Sequence, residues 1–133
     1  MEIRMELREY VRFKLTQARE AYAEAEGLMA DEAELGYVVN SLYYAFYYPV
    51  LALLHVKGVP AAMQSVSIAL FEREFIDTGL VEKRFFQSLR RAFELKPKCS
   101  THELKMITHD EVKALLTDAR GFLETVSREA GVK

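Results

Sequence analysis

The stretch NSLYYAFYYPVLALLH, residues 40–55, is the most informative part of this chain because it is dense in aromatic side chains. Five rings fall within six consecutive positions, residues 43–48. Successive side chains on an α-helix turn by about 100°, so these rings spread over roughly 200° of the helix circumference. One neighbouring helix cannot cover so wide an arc. The stretch therefore predicts a central helix that packs against neighbours on several sides.

Composition limits the class of protein. The chain has 133 residues, of which 50% are hydrophobic and 29% charged, and this predicts a single helical domain over residues 1–133. A formal net charge of −2 argues against a generally basic surface for nucleic acid. Cys99 is the only cysteine, which excludes an intrachain disulfide and a cysteine metal cluster. The charged amino-terminal residues lack the apolar region of a signal peptide, so we expect a cytoplasmic protein.

The uncharged segment 35–56 raises the question of a membrane span. Its 22 residues contain no Asp, Glu, Lys or Arg, and about 20 apolar residues can cross a bilayer. However, the segment also contains Asn40, Ser41, His55 and five tyrosines, and tyrosine is disfavoured in the hydrocarbon centre. We therefore expect a helix surrounded by protein, and no membrane partner.

Hydrophobic periodicity predicts helices joined by short connections, with no alternating strand pattern. The predicted helices span about residues 2–30, 31–56, 61–76, 81–95 and 108–126. This order indicates an all-α, up-and-down antiparallel bundle of four long helices and one shorter helix.

Local signals mark several of the helix ends. Asp31 with Glu34, and Thr108 with Glu111, match the capping-box spacing and are predicted to open the second and last helices. Gly58 is suited to the left-handed conformation that closes a helix, so the second helix is expected to stop there.

The tyrosines of the second helix favour an oligomer. A chain of this length has few elements with which to cover the whole aromatic arc, and tyrosine is enriched in protein interfaces. We therefore predict a homodimer whose interface includes Tyr43, Tyr44, Tyr47 and Tyr48.

Charge is segregated along the chain. Residues 20–34 carry six acidic side chains and no basic one, whereas residues 83–98 carry six basic side chains and one acidic side chain. A local excess of about five positive charges attracts phosphates, so Arg90, Arg91 and Lys98 are candidate contacts for a nucleotide or RNA. The alternatives are an ordinary solvated helix face, or pairing of the two charged segments between subunits.

Asn40 is a further candidate contact for a nucleotide. It shares a helical face with Tyr44 and Tyr47. An amide among aromatic rings needs a hydrogen-bond partner, which is supplied either by a neighbouring helix or by a ligand.

The histidines do not form a metal-binding pattern. His102 and His109 lie seven residues apart across a predicted helix start, and His55 lies on another helix. No HExxH motif and no glycine-rich phosphate loop is present. We therefore expect neither a metal nor another cofactor.

The segment LKPKCSTHE, residues 95–103, follows the basic helix and contains Lys96 and His102. A histidine beside cations and hydroxyls can act as a general acid or base on an RNA phosphodiester, and lysine can stabilise the developing charge. The plainer interpretation is a surface loop without a catalytic role.

The order of these features resembles the HEPN domain (higher eukaryotes and prokaryotes nucleotide-binding). The resemblance is carried by NSLYYAFYYPVLALL, then KGV, then ALFEREFIDTGLVEKRFFQSLRRAFELK, and it covers roughly residues 35–126. It is nearest to the compact single-domain prokaryotic branch. It implies a helical bundle, commonly homodimeric, that is often encoded beside a minimal nucleotidyltransferase as a toxin–antitoxin-like pair.

Many proteins of this kind are metal-independent RNases that use an arginine followed a few residues later by histidine. Here Lys96 takes the place of that arginine, and His102 follows after five intervening residues. Lysine lacks the planar fork of arginine, and Pro97 alters the backbone beside it. The leading expectation is a binding subunit for nucleotide or RNA with little or no catalysis. The alternative is a metal-independent endoribonuclease that uses His102 with Lys96.

Overall fold

The computed structural model describes residues 2–60, 63–96 and 107–129. Within these ranges the chain forms α-helices, one short π-helical segment and no strand. The elements are α1 (Glu2–Ala30), α2 (Leu35–Val56), α3 (Gln64–Phe71), the π-helical segment (Glu72–Ile76), α4 (Lys83–Leu95) and α5 (His109–Glu129). The predicted all-α helical bundle is confirmed.

Helices α1 and α2 run antiparallel, and so do α4 and α5. The ring of Tyr10, near the start of α1, lies 4.0 Å from that of His55 at the end of α2. Similarly, Arg91 near the end of α4 pairs with Glu111 near the start of α5. Short connections between helices favour this arrangement.

The central helix is α2, as its sequence predicts. It packs against α1, α3, α4 and α5, and α3 also meets α4 through Phe71 and Phe86, whose ring centroids lie 6.4 Å apart. Thirteen of its 22 residues are buried. The wide aromatic arc is therefore covered by several helices of the same chain.

Phenylalanines form the densest part of the core. The ring of Phe122 in α5 lies 6.0 Å from that of Phe46, 5.7 Å from that of Phe71 and 5.4 Å from that of Phe85. All four side chains are almost completely buried. Burial of each ring stabilises the fold by about 1.5–3 kcal/mol. Because Phe122 contacts rings of α2, α3 and α4, it joins these three helices to α5.

The capping box predicted at Asp31 is wrong, whereas Thr108 caps α5 as predicted, with the Glu111 carboxylate accepting hydrogen bonds from Arg91. The backbone N–H of Asp31 donates to the carbonyl of Gly27, so Asp31 closes α1 and does not open α2. The N-cap of α2 is Glu34, whose side chain makes no capping hydrogen bond. At the other site, the N–H of Glu111 donates to Thr108 Oγ1 over 3.1 Å.

The third helix differs from its prediction in length and in geometry. It begins at Gln64 and widens into a π-helical turn, in which the N–H of Asp77 donates to the carbonyl of Glu72 over 2.8 Å. The following helix begins at Lys83, two residues later than predicted. Gly58 takes the expected left-handed conformation after α2, with φ of +74°.

Among the described helices, α2 alone is long and apolar enough to be a candidate membrane span. Of its most apolar 18-residue stretch, 72% is buried inside the protein. The core helix of a helical bundle has the same features, because neighbouring helices cover its apolar surface on several sides. Its burial is compatible with the predicted helix surrounded by protein.

Candidate functional site

The four tyrosines predicted at a dimer interface differ in burial. Tyr43 and Tyr47 are 0% and 6% exposed within a single chain, and their rings stack 5.5 Å apart. Tyr44 and Tyr48 are only partly buried, and their ring centroids lie 5.6 Å apart. One chain therefore accounts for the burial of the first two, and a role for any of the four in a dimer stays a prediction.

Tyr43 connects three helices. Its hydroxyl donates a hydrogen bond to Gln64 Oε1 of α3 over 2.8 Å, and its ring lies 5.5 Å from that of Phe93 in α4. Burial, reinforced by the nearby Tyr47 and Tyr44, raises the pKa of the Tyr43 hydroxyl well above its ordinary value. The hydroxyl therefore stays protonated at neutral pH and serves as a hydrogen-bond donor.

Lys96 lies against aromatic rings. Its Nζ is 5.2 Å from the ring centroid of Tyr43 and 5.7 Å from that of Phe93, which are cation–π distances. Its predicted partner His102, and the predicted phosphate contact Lys98, lie outside the described residues. The geometry of a Lys96–His102 pair therefore stays a prediction.

A cleft of about 280 Å³ opens between α3 and α4, and we call it the α3/α4 cleft. Phe86, Arg90 and Phe93 line its α4 wall and are spaced to share one face of that helix. The guanidinium of Arg90 lies 5.9 Å from the ring centroid of Phe86. The remaining lining residues are Ser65, Ile68, Ala69, Glu72 and Glu94.

The two arginines predicted to bind an anion have different surroundings. Arg91 makes two hydrogen bonds to Glu111, at 3.0 Å and 3.2 Å, and its Nη1 lies 3.8 Å from Glu94. The hydrogen bond that Arg91 donates to Glu111 raises the pKa of Arg91, because the carboxylate stabilises the charged guanidinium. Arg91 therefore joins α4 to α5, whereas Arg90 faces the α3/α4 cleft.

A second cleft, of about 230 Å³, lies between α1 and α2, and we call it the α1/α2 cleft. Its lining residues are Gln17, Glu20, Ala21, Glu24, Asn40, Ser41, Tyr44 and Tyr48. Asn40 therefore lies with two carboxylates and is not in the cleft of Arg90. Asn40 and Arg90 thus do not form one site.

The described residues include no group of three or more His, Cys, Asp or Glu side chains that could hold a metal ion. His55 instead stacks on Tyr10, and His109 is the exposed first residue of α5. The expectation that the protein uses no metal stays a prediction.

Phe93 in the α3/α4 cleft, and Gln64, which accepts the hydrogen bond of Tyr43, were not candidates in the sequence. Phe93 lies beside both Arg90 and Lys96, and the spacing of Phe86, Arg90 and Phe93 is the signal that marks it. No sequence pattern marks Gln64, because its contact with Tyr43 depends on how α3 packs on α2.

Together these features define a small all-α helical-bundle protein, with clefts between α1 and α2 and between α3 and α4 in the part of the chain that the structure describes. It is 36% identical over 112 residues to a UPF0332 protein of Thermotoga maritima, a match that covers 84% of each chain. The chain therefore belongs to the UPF0332 family. It is also 27% identical over 115 residues to a protein of Methanocaldococcus jannaschii named "Putative toxin", covering 86% of this chain and 78% of that one. No family model matches the chain. Both relatives are compatible with the HEPN-type resemblance.

Proposed function

We propose that this protein is the HEPN-type binding subunit of a toxin–antitoxin-like pair, homodimeric and partnered with a minimal nucleotidyltransferase. It binds nucleotide or RNA with little or no catalysis. The relative named as a toxin supports the assignment to such a pair. The nucleotidyltransferase rests on the HEPN resemblance, and co-purification with a nucleotidyltransferase encoded beside this gene tests it.

The α4 wall of the α3/α4 cleft is the observation that carries the proposal for the ligand. Proteins bind single-stranded nucleic acid by stacking bases on aromatic rings and by drawing the phosphates with positive charge. Here Phe93 is partly exposed, and Arg90 and Lys96 lie one turn or less away along the chain. A base against Phe93 leaves its phosphate within reach of Arg90.

The surroundings of Lys96 favour binding over catalysis. Its ammonium lies over two rings and is a point charge without the bidentate geometry of arginine. It is therefore suited to attract a phosphate, and poorly suited to hold a phosphodiester in one orientation for cleavage.

A binding titration tests the proposal with a matched control. Arg90→Gln and Arg91→Gln remove the same charge from adjacent positions of α4. We expect Arg90→Gln to weaken binding of a fluorescent single-stranded RNA by about tenfold and to lower the salt slope by about one. Arg91→Gln should bind nearly as the wild type does. Equal affinities for the two variants and the wild type, or salt-independent binding, would contradict the proposal.

The endoribonuclease remains the second candidate function, because His102 follows Lys96 at a spacing similar to that of the RNases it resembles. A catalytic histidine contributes about 10²–10⁴-fold in rate. The test incubates RNA with the wild type and with His102→Ala in EDTA, which inactivates metal-dependent contaminants. We expect no cleavage by either protein. Cleavage by the wild type that His102→Ala abolishes would replace the binding proposal with the enzyme.

A further inference from the structure

One side of α2, where α1 runs beside it, is only partly covered. Tyr37, Asn40, Tyr44 and Tyr48 recur three or four residues apart, and each is exposed or only partly buried. Along this side runs α1, which contributes Lys14, Gln17, Glu20 and Glu24. We call this surface, centred on the α1/α2 cleft, the α1/α2 face.

The α1/α2 face exposes large apolar rings toward both of its ends. Phe13 is 59% exposed and lies beside Lys14, whose Nζ is 5.6 Å from its ring centroid. Tyr37 is 61% exposed and precedes Asn40 by about one helical turn. Exposed aromatic surface of this kind is typical of protein interfaces.

Gln17 lies near the middle of the face, and its side-chain oxygen has no partner in the described part of the chain. The oxygen is buried and accepts no hydrogen bond, although Gln17 lines the α1/α2 cleft. Buried acceptors in folded proteins are almost always satisfied. Because the oxygen is enclosed within its own chain, a second subunit cannot reach it, and Gln17 serves here only to mark the centre of the face.

Charge along the face changes sign. Lys14 lies on one side of Gln17, whereas Glu20 and Glu24 lie on the other and form no ion pair among residues 2–60, 63–96 and 107–129. At about 1.5 Å per residue, Lys14 and Glu24 are about 15 Å apart along α1. A surface with opposite charges on either side of its centre is complementary to a second copy of itself in antiparallel orientation.

We propose that the α1/α2 face binds the same face of a second copy about a two-fold axis near Gln17. Lys14 of each subunit then lies against Glu20 and Glu24 of the other. This inference rests on the homodimer in the proposed function and adds its surface and its orientation. The interface tyrosines are then Tyr44 and Tyr48, while Tyr43 and Tyr47 stay within one chain.

Charge reversal followed by mixing tests this arrangement. In sedimentation, the wild type should form a species near twice 15.3 kDa. Lys14→Glu alone, and Glu20→Lys with Glu24→Lys, should each raise the dimer dissociation constant at least tenfold, because like charges then face each other. An equimolar mixture of the two variants should dimerise again, since both contacts between unlike subunits become attractive.

Two control variants make the same charge changes on α1 away from the face. Both residues are exposed, and helical spacing places them on the side of α1 opposite Gln17, so Arg19→Glu and Glu26→Lys should leave the dimer intact. A dimer that the face variants do not weaken, or a mixture that stays monomeric, would overturn this arrangement while leaving the homodimer. A monomeric wild type at every concentration would overturn both.

Discussion

The two sides of α2 carry different kinds of aromatic residue. On one side Phe46 packs against Phe122 in a closed cluster. On the other side the tyrosines adjoin both clefts, since Tyr43 contacts Phe93 and Tyr44 lines the α1/α2 cleft. A phenylalanine ring can be buried without a polar partner, whereas a tyrosine hydroxyl needs one. The tyrosines thus lie on the side of α2 where we propose that a ligand and a second subunit bind.

The largest expected effect concerns the phenylalanine side. Phe122→Ala removes the ring that joins three other phenylalanines, and we expect it to lower the free energy of unfolding by about 3–5 kcal/mol. RNA affinity per folded molecule should not change, because Phe122 lines neither cleft. Urea denaturation measures the first quantity and titration the second. A loss under 1 kcal/mol would show that the closed cluster is not the main source of stability.

The next effect concerns the tyrosine side. Phe93→Ala removes a stacking surface, and loss of one base–aromatic contact costs about 1–3 kcal/mol of binding free energy. We expect at least a fivefold loss of RNA affinity, and Phe93→Trp should retain it because a ring remains. If alanine and tryptophan bind RNA equally well, no base stacks at this position.

Tyr43→Phe tests the hydroxyl that is buried on this side. Loss of the hydrogen bond to Gln64 should cost about 1 kcal/mol of stability at pH 7. The pKa of Tyr43 is raised in the folded state, so above about pH 10 the unfolded state loses its proton first and stability falls as pH rises. Urea denaturation at pH 9 and pH 11 should therefore show a smaller decline for Tyr43→Phe than for the wild type.

Tyr37→Phe is the control for this measurement, because Tyr37 is an exposed tyrosine of the same helix. It should follow the wild-type dependence on pH. If Tyr43→Phe declined as steeply as the wild type, burial of the Tyr43 hydroxyl would not contribute to the alkaline loss of stability.

The smallest effect is expected at Arg91. Its pair with Glu111 is partly exposed to solvent, so Arg91→Ala should lower stability by no more than about 1 kcal/mol, with less effect at high salt. Thermal unfolding at low and high ionic strength measures this. A large change in RNA affinity in the same variant would place Arg91 in the binding site beside Arg90.

Much of the fold was predictable because it depends on local pattern. The charge-free, aromatic α2 had to be central, and the hydroxyl of Thr108 caps α5 as its spacing to Glu111 indicates. The capping box predicted at Asp31 was wrong because a capping box and a helix end use the same residue types. Only the hydrogen bond that the Asp31 N–H donates to the Gly27 carbonyl distinguishes them.

The candidate site was less predictable because it depends on contacts between distant helices. Arg90 and Arg91 are equivalent in sequence, and their roles diverge only because Glu111, 20 residues further on, lies against one of them. In the same way, the position of Asn40 beside Glu20 and Glu24 follows from the packing of α1 on α2. The spacing of residues along the sequence predicts neither contact.

The central claim is that nucleic acid binds on the tyrosine side of α2, in the α3/α4 cleft. Nuclear magnetic resonance of isotope-labelled protein, titrated with a short single-stranded RNA, tests it directly. We expect the resonances of Arg90, Phe93 and Lys96 to shift with added RNA, and those of Asn40 and Gln17 to stay in place. Shifts confined to Asn40 and its neighbours, or no shifts at any described residue, would contradict this account.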